Sequence, residues 1–137
     1  MCYDESMAQK NTNIQIIAFV GMPGAGKSSA VDHVTASEFP KIYAGGVVYD
    51  EMYAQGIEIT PKSQREFREQ MRAEHGGDYF MKKCIDQMQN LIKAGQKQIV
   101  LNGLYTWQEY RLLKREFPGE MTVIAIVAPR KVRHRRL

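Results

Sequence analysis

The sequence predicts a three-layer α/β/α domain built on a parallel sheet. Three observations carry this. Apolar runs at 14–20 (IQIIAFV), 98–101 (QIVL) and 121–127 (MTVIAIV) are rich in β-branched residues and have the length of buried strands. Segments of helical periodicity separate them, as crossovers between parallel strands require. A glycine-rich turn, GMPGAGKS at 21–28, joins the first run to the first helix. At 137 residues, 44% hydrophobic and 25% charged, the chain amounts to one domain. A chain of that length buries about two-thirds of its unfolded surface. These values exclude a wholly disordered, collagenous or disulfide-scaffold protein.

The elements follow in order. Residues 1–12 read as a flexible arm, and 13–137 as the domain proper. After the strand at 14–20, a helix spans 26–38 with Ala30, Val31 and Val34 on one face, stopped by Pro40. Residues 41–44 read as a short strand and Gly45-Gly46 as a turn. A helix over 47–55 closes at Gly56. Thr60 and Pro61 open the next, Thr as cap and Pro at the first helical position. It runs to His75 with a thin apolar face of Phe67, Met71 and Ala73 among charged neighbours, so it is poorly buried and free to move. Asp78 caps a helix whose Met81, Cys84, Ile85, Met88, Leu91 and Ile92 repeat at helical spacing up to Gly95. Thr106 and Glu109 form a capping-box pattern for a helix ending before Pro118-Gly119, with Trp107 and Tyr110 as packing residues on one side. Pro129 opens a basic helix reaching Leu137.

Charge and cysteine usage narrow the class. The net charge of +4 is uneven: residues 130–137 hold five Arg or Lys and no acid, and without them 14 basic groups face 15 acidic ones. A local basic cluster suits a phosphate-rich small ligand. No aromatics are interleaved in it, which argues against a nucleic-acid platform. No apolar run approaches the ~20 residues of a membrane span. The first dozen residues lack a signal peptide's apolar stretch, and Cys2 and Cys84 have neither framework nor metal-ligand spacing. A reducing cytoplasm is the expected location, and Cys84 reads as a core residue.

The segment Gly21-Met22-Pro23-Gly24-Ala25-Gly26-Lys27-Ser28 fits G-x-x-x-x-G-K-[ST], the P-loop. Its glycines permit backbone geometry in which successive N–H groups point at phosphate oxygens. The helix that begins there adds its positive end. Lys27 places a cation near the β- and γ-phosphates, and Ser28 offers a hydroxyl to Mg²⁺. Residues 21–29, Ser29 included, are the expected ATP contacts.

With Pro23 and Gly24, the loop resembles the GxPGxGKS loop of nucleoside-monophosphate-kinase-like enzymes. The segments GGVVYDEMYAQGIEIT, REFREQMRAEHGG, QIVLNGLYTWQEY and VIAIVAPRKVRHRRL extend the resemblance over roughly residues 14–137, towards small dephospho-CoA-kinase-like and adenylate-kinase-like P-loop proteins. That resemblance implies an ATP- and Mg²⁺-dependent phosphotransferase acting on a small nucleotide or nucleotide-like acceptor. It implies an acceptor-binding insert at 45–77, with Arg65, Arg68, Arg72 and His75 as candidate contacts; Asp50, after the Gly45-Gly46 pair, is a further substrate-side candidate and a carboxylate to stand in for the one that Asn102 lacks. It also implies a lid beginning at 129–137, where Arg136 meets the ATP base or phosphates and helps neutralise the transferring group; Arg133 is a second candidate.

Two departures stand beside the resemblance. Relatives end the third strand with Asp-Gly, and this chain has Asn102-Gly103, which keeps the shape but loses a charge for Mg²⁺. The basic helix reaches Leu137 without a helix stop, so the sequence is expected to be a fragment lacking the rest of the lid and its closing elements. Both keep an alternative open: an ATP-binding P-loop regulator or ATPase without kinase activity. Tyr105, just past the third strand, is a further candidate for the acceptor side.

Overall fold

A computed structural model describes residues 13–137; the arm at 1–12, and Cys2 with it, lies outside the described residues. Among the described residues are four strands, β1 (Gln15–Gly21), β2 (Lys41–Tyr43), β3 (Gln98–Asn102) and β4 (Met121–Ile126). Six helices accompany them: α1 (Lys27–Thr35), α2 (Ala44–Ala54), α3 (Pro61–His75), α4 (Tyr79–Lys93), α5 (Trp107–Glu116) and α6 (Arg130–Arg136). The sheet order is β2-β3-β1-β4, all parallel, with Phe19 beside Asn102 and Gly21 beside Ile126.

The central strands β1 and β3 are covered on both faces, which is why they read as continuous apolar runs. Successive β1 side chains serve opposite layers. Phe19 joins Val31 of α1 and Val100, with Ile17, Ala30 and Val34 around them. Ile16 and Ala18 join Ile99 and Leu101 in the larger core beneath α2, α3, α4 and α5. The α4 stripe supplies Met81, Cys84, Ile85 and Met88 to that core, as its periodicity predicts. The α3 helix is anchored by Phe67 and Met71, with the Phe67 ring 6.2 Å from that of Phe80. A Lys83–Glu51 ion pair at 2.6 Å ties α4 to α2, and the Tyr79 hydroxyl donates to the same carboxylate at 3.0 Å.

Several boundaries differ from expectation. The α1 helix ends at Thr35, not 38; the Thr35 hydroxyl turns back to Val31 O at 2.9 Å, and Glu38 takes a left-handed φ of 68°. Gly45-Gly46 is not a turn. Strand β2 passes directly into α2, and the Tyr43 ring folds over Gly45 so closely that a Cβ there would lie 2.6 Å from Tyr43 Cζ. Asp78 precedes α4 without a side-chain capping bond and instead pairs with Lys82 at 3.4 Å. Ala73 is exposed, and so is Trp107, stacked on Tyr110 at the surface. Strand β4 stops at Ile126 and is an edge strand, so half its side chains stay exposed despite an apolar sequence.

Candidate functional site

The glycine turn does what its composition predicts. Gly24 (φ 78°) and Gly26 (φ 102°) both take left-handed backbone, a region other residues rarely adopt. The Ala25 N–H donates to Met22 O at 3.0 Å and closes the loop, and α1 begins at Lys27 with Gly26 as its N-cap. The α6 helix docks against it. The Arg136 Nη1 donates to Gly24 O at 3.1 Å and Ala25 O at 3.4 Å, and the Arg133 Nη1 to Pro23 O at 3.5 Å. The approach is tight: a Cβ on Gly24 would lie 2.6 Å from Arg133 O.

The turn, Arg136 and Tyr105 enclose a cavity of about 360 Å³. Every residue of 21–29 lines it except Ala25, which is buried behind the loop. Lys27 Nζ lies 5.2 Å from the Tyr105 ring centroid. No acid lines this cavity. Among the described residues no cluster of three or more His, Cys, Asp or Glu could hold a metal. Ser28 and Ser29 bring hydroxyl side chains to this lining.

A second cavity of about 270 Å³ shares Tyr105 with the first and is lined by Arg68, Arg72 and Glu109 over the α2 start. The Glu109 side chain is only 4% exposed and faces Arg72 Nη2 at 3.8 Å. The Arg72 Nε is buried and has no acceptor in the protein. Tyr43 and Tyr49 approach the same region. Burial above all, then the Tyr49 and Tyr105 phenols, push the Tyr43 hydroxyl above its usual range, with Arg68 opposing.

The structure thus brings Arg68 and Arg72 together, while three other candidates face elsewhere. Asp50 is exposed on α2 and lines neither cavity. His75 stacks on Tyr79 at 4.7 Å and lies 3.8 Å from Glu74. Arg65 is exposed and lines neither cavity. Asn102 is buried between Phe19 and Tyr43 in register, and its Oδ1 has no hydrogen-bond partner. Glu109 was readable only as a capping residue, and Tyr43 and Tyr49 gave no signal in the sequence. Their assembly depends on the β2–α2 junction, which no local pattern reveals.

A central parallel strand, a G-x-x-x-x-G-K-S loop at its carboxyl end and the following helix define the P-loop kinase-like fold. Comparison with solved structures agrees. A protein of Chloroflexus aurantiacus matches with a TM-score of 0.65 at 14% identity, covering 91% of this chain and 65% of its own. A sugar kinase from Janibacter sp. HTCC2649 matches at 0.59 and 18%, covering 90% and 65%. A gluconokinase from Sinorhizobium meliloti 1021 matches at 0.50 and 15%, covering 91% and 64%. Among curated proteins, a UPF0200/UPF0201 protein of Archaeoglobus fulgidus is 31% identical over 124 residues, 90% of this chain and 38% of the relative. UPF0200 proteins of Thermococcus onnurineus and Methanosarcina barkeri are 29% and 32% identical, and the chain covers 66% and 65% of them. The chain therefore spans between about a third and two-thirds of these relatives' length. No protein-family model matches it. No helix among the described residues is long and apolar enough to cross a membrane.

Proposed function

We propose that the chain is an ATP-dependent phosphotransferase acting on a small anionic acceptor, a nucleotide or nucleotide-like molecule. One observation carries the reading: a P-loop cavity and an arginine-lined cavity lie side by side with one shared wall. In this reading the loop N–H groups and the α1 N-terminus cradle the β-phosphate. Lys27 draws charge from the transferring group. Arg136, already at the cavity wall, reaches the nucleotide from α6. Arg68 and Arg72 take an anionic group of the acceptor, since a guanidinium fork donates two bonds to phosphate or carboxylate. An acceptor oxygen then attacks the γ-phosphorus, a hydroxyl acceptor giving its proton to solvent, while the bond to the β,γ-bridging oxygen breaks and ADP leaves with that electron pair. Mg²⁺, held by Ser28, phosphates and water, neutralises developing charge when bound. The protein works by positioning and charge stabilisation, in a cytoplasmic setting.

Gluconate and other sugar acids belong in the test beside nucleotides, because a gluconokinase and a sugar kinase share the fold. The experiment supplies ATP and Mg²⁺, then dephospho-CoA, each nucleoside monophosphate and gluconate in turn, and follows ADP release. ADP that forms only with one acceptor establishes the kinase and names its substrate. A second reading rests on Asn102 and the absence of any acid in the nucleotide cavity: a nucleotide-binding regulator. Tight ATP binding with no stimulation by any acceptor selects it.

A further inference from the structure

Tyr105 belongs to both cavities, and the bonds around it run from one to the other. On the nucleotide side, Lys27 Nζ sits 5.2 Å from its ring centroid, and the residue is 61% exposed. On the other side, the backbone that carries the ring is fixed by a buried carboxylate. Glu109 Oε2 accepts the Tyr105 N–H at 2.9 Å and the Thr106 N–H at 3.2 Å. Its other oxygen faces Arg72 Nη2 at 3.8 Å, within the second cavity. A charge this deeply buried depends on its partner cation, and losing that partner is costly. Arg72 meanwhile keeps a buried Nε with no acceptor in the protein. It therefore has donor capacity for a second oxygen anion.

We propose that Tyr105 is a positioning residue that couples the two cavities: its ring covers Lys27 in the empty protein, and the Arg72–Glu109 pair holds the ring there. This rests on the nucleotide reading of the P-loop. The Lys27 ammonium faces either the ring or a phosphate, so the ring competes with nucleotide. An anion entering the second cavity draws Arg72 from Glu109, loosens the loop and uncovers Lys27. Acceptor and nucleotide then favour each other's binding, because such coupling is reciprocal. A cover of this kind keeps the lysine from engaging ATP fully until an acceptor is present.

The test is calorimetric titration of the whole chain with MgADP. Tyr105→Leu keeps bulk and removes the ring face. It is expected to bind about two- to fivefold more tightly, the worth of an exposed cation–π contact. Glu109→Gln keeps an oxygen for the two N–H donors but removes the charge that Arg72 answers. It is expected to tighten binding in the Tyr105 background and to add nothing in the Tyr105→Leu background, which is the signature of a shared path. Unchanged or weaker binding by Tyr105→Leu overturns the cover. No effect of Glu109→Gln, or an effect that persists in Tyr105→Leu, overturns the coupling. Should Glu109→Gln fail to fold, Trp107 carries the test, being the single tryptophan and two residues from the ring. Saturating MgADP is expected to shift its emission in the wild type and not in Tyr105→Leu, and an unmoved wild-type emission overturns the proposal. A wild-type chain that binds no MgADP overturns instead the nucleotide reading beneath it, so the two failures are distinguishable.

Discussion

Gly24 is the residue where two requirements meet. Its φ of 78° bends the loop, and the space a Cβ would need is filled by Arg133 O at 2.6 Å. Gly24→Ala adds the left-handed penalty of about 1–2 kcal/mol to a clash with rigid backbone. At Gly26 the nearest atom to an added Cβ is the flexible Arg136 Nη1 at 3.8 Å, so Gly26→Ala carries the backbone penalty without a clash. Thermal melts should therefore rank Gly24→Ala below Gly26→Ala. Lys27→Ala should cost the empty protein no more than its contact with the Tyr105 ring, about 0.5–1 kcal/mol, while abolishing measurable MgATP binding by calorimetry. Cys84 makes a third prediction. It is fully buried, and burial, then the Glu109 charge, pushes its thiol from 9.0 up to about 12. Below pH 9 the thiol is neutral in both folded and unfolded chains and does not affect stability. Between pH 9 and 12 the unfolded chain releases a proton that the folded one keeps, so this group's contribution falls as pH rises. Urea titrations across that window should show the stability gap between wild type and Cys84→Ala narrowing. In a Cys2→Ser background, Cys84 should resist thiol reagents until the protein unfolds.

Among the elements, α5 shows most clearly how a local signal and a tertiary one overlap. The Thr106 hydroxyl accepts the Glu109 N–H at 3.1 Å, while the Glu109 carboxylate returns to the loop. Thr106→Ala should cost about 1 kcal/mol, the usual worth of a cap. Glu109→Ala should cost more, because it also strands Arg72 over the cavity; chemical denaturation of both variants checks the order. The cap was legible in the sequence; the burial of Glu109 was not, since an acid three residues after a threonine is ordinarily solvated. Strands β1 and β3 were legible because both their faces are covered. Strand β4 has the same apolar character yet lies at the edge, and no property of MTVIAIV distinguishes the two settings. Arg68 and Arg72 share a helix face by their spacing of four. Which face of α3 meets the cavity is set by Phe67 and Met71 docking on neighbouring helices, so Arg65 and His75 could not be excluded in advance.

At the scale of the molecule, both cavities open where the parallel strands end, the customary place for ligands in open α/β sheets. Their ligands should hold the fold together by mass action. MgADP at a hundred times its Kd should add about 2.7 kcal/mol of stability, and Lys27→Ala should erase the corresponding rise in melting temperature. The strand order has a further consequence, in time. Strand β1, which carries the P-loop, sits between β3 and β4, and its partner Gln98 comes 83 residues after Gln15. At 5–20 residues per second, a ribosome needs about 4–17 s to deliver that partner. Throughout that interval IQIIAFV has emerged with neither neighbour available to pair with it. The apolar strand that carries the glycine-rich loop is thus also the stretch on which a nascent-chain chaperone would act first.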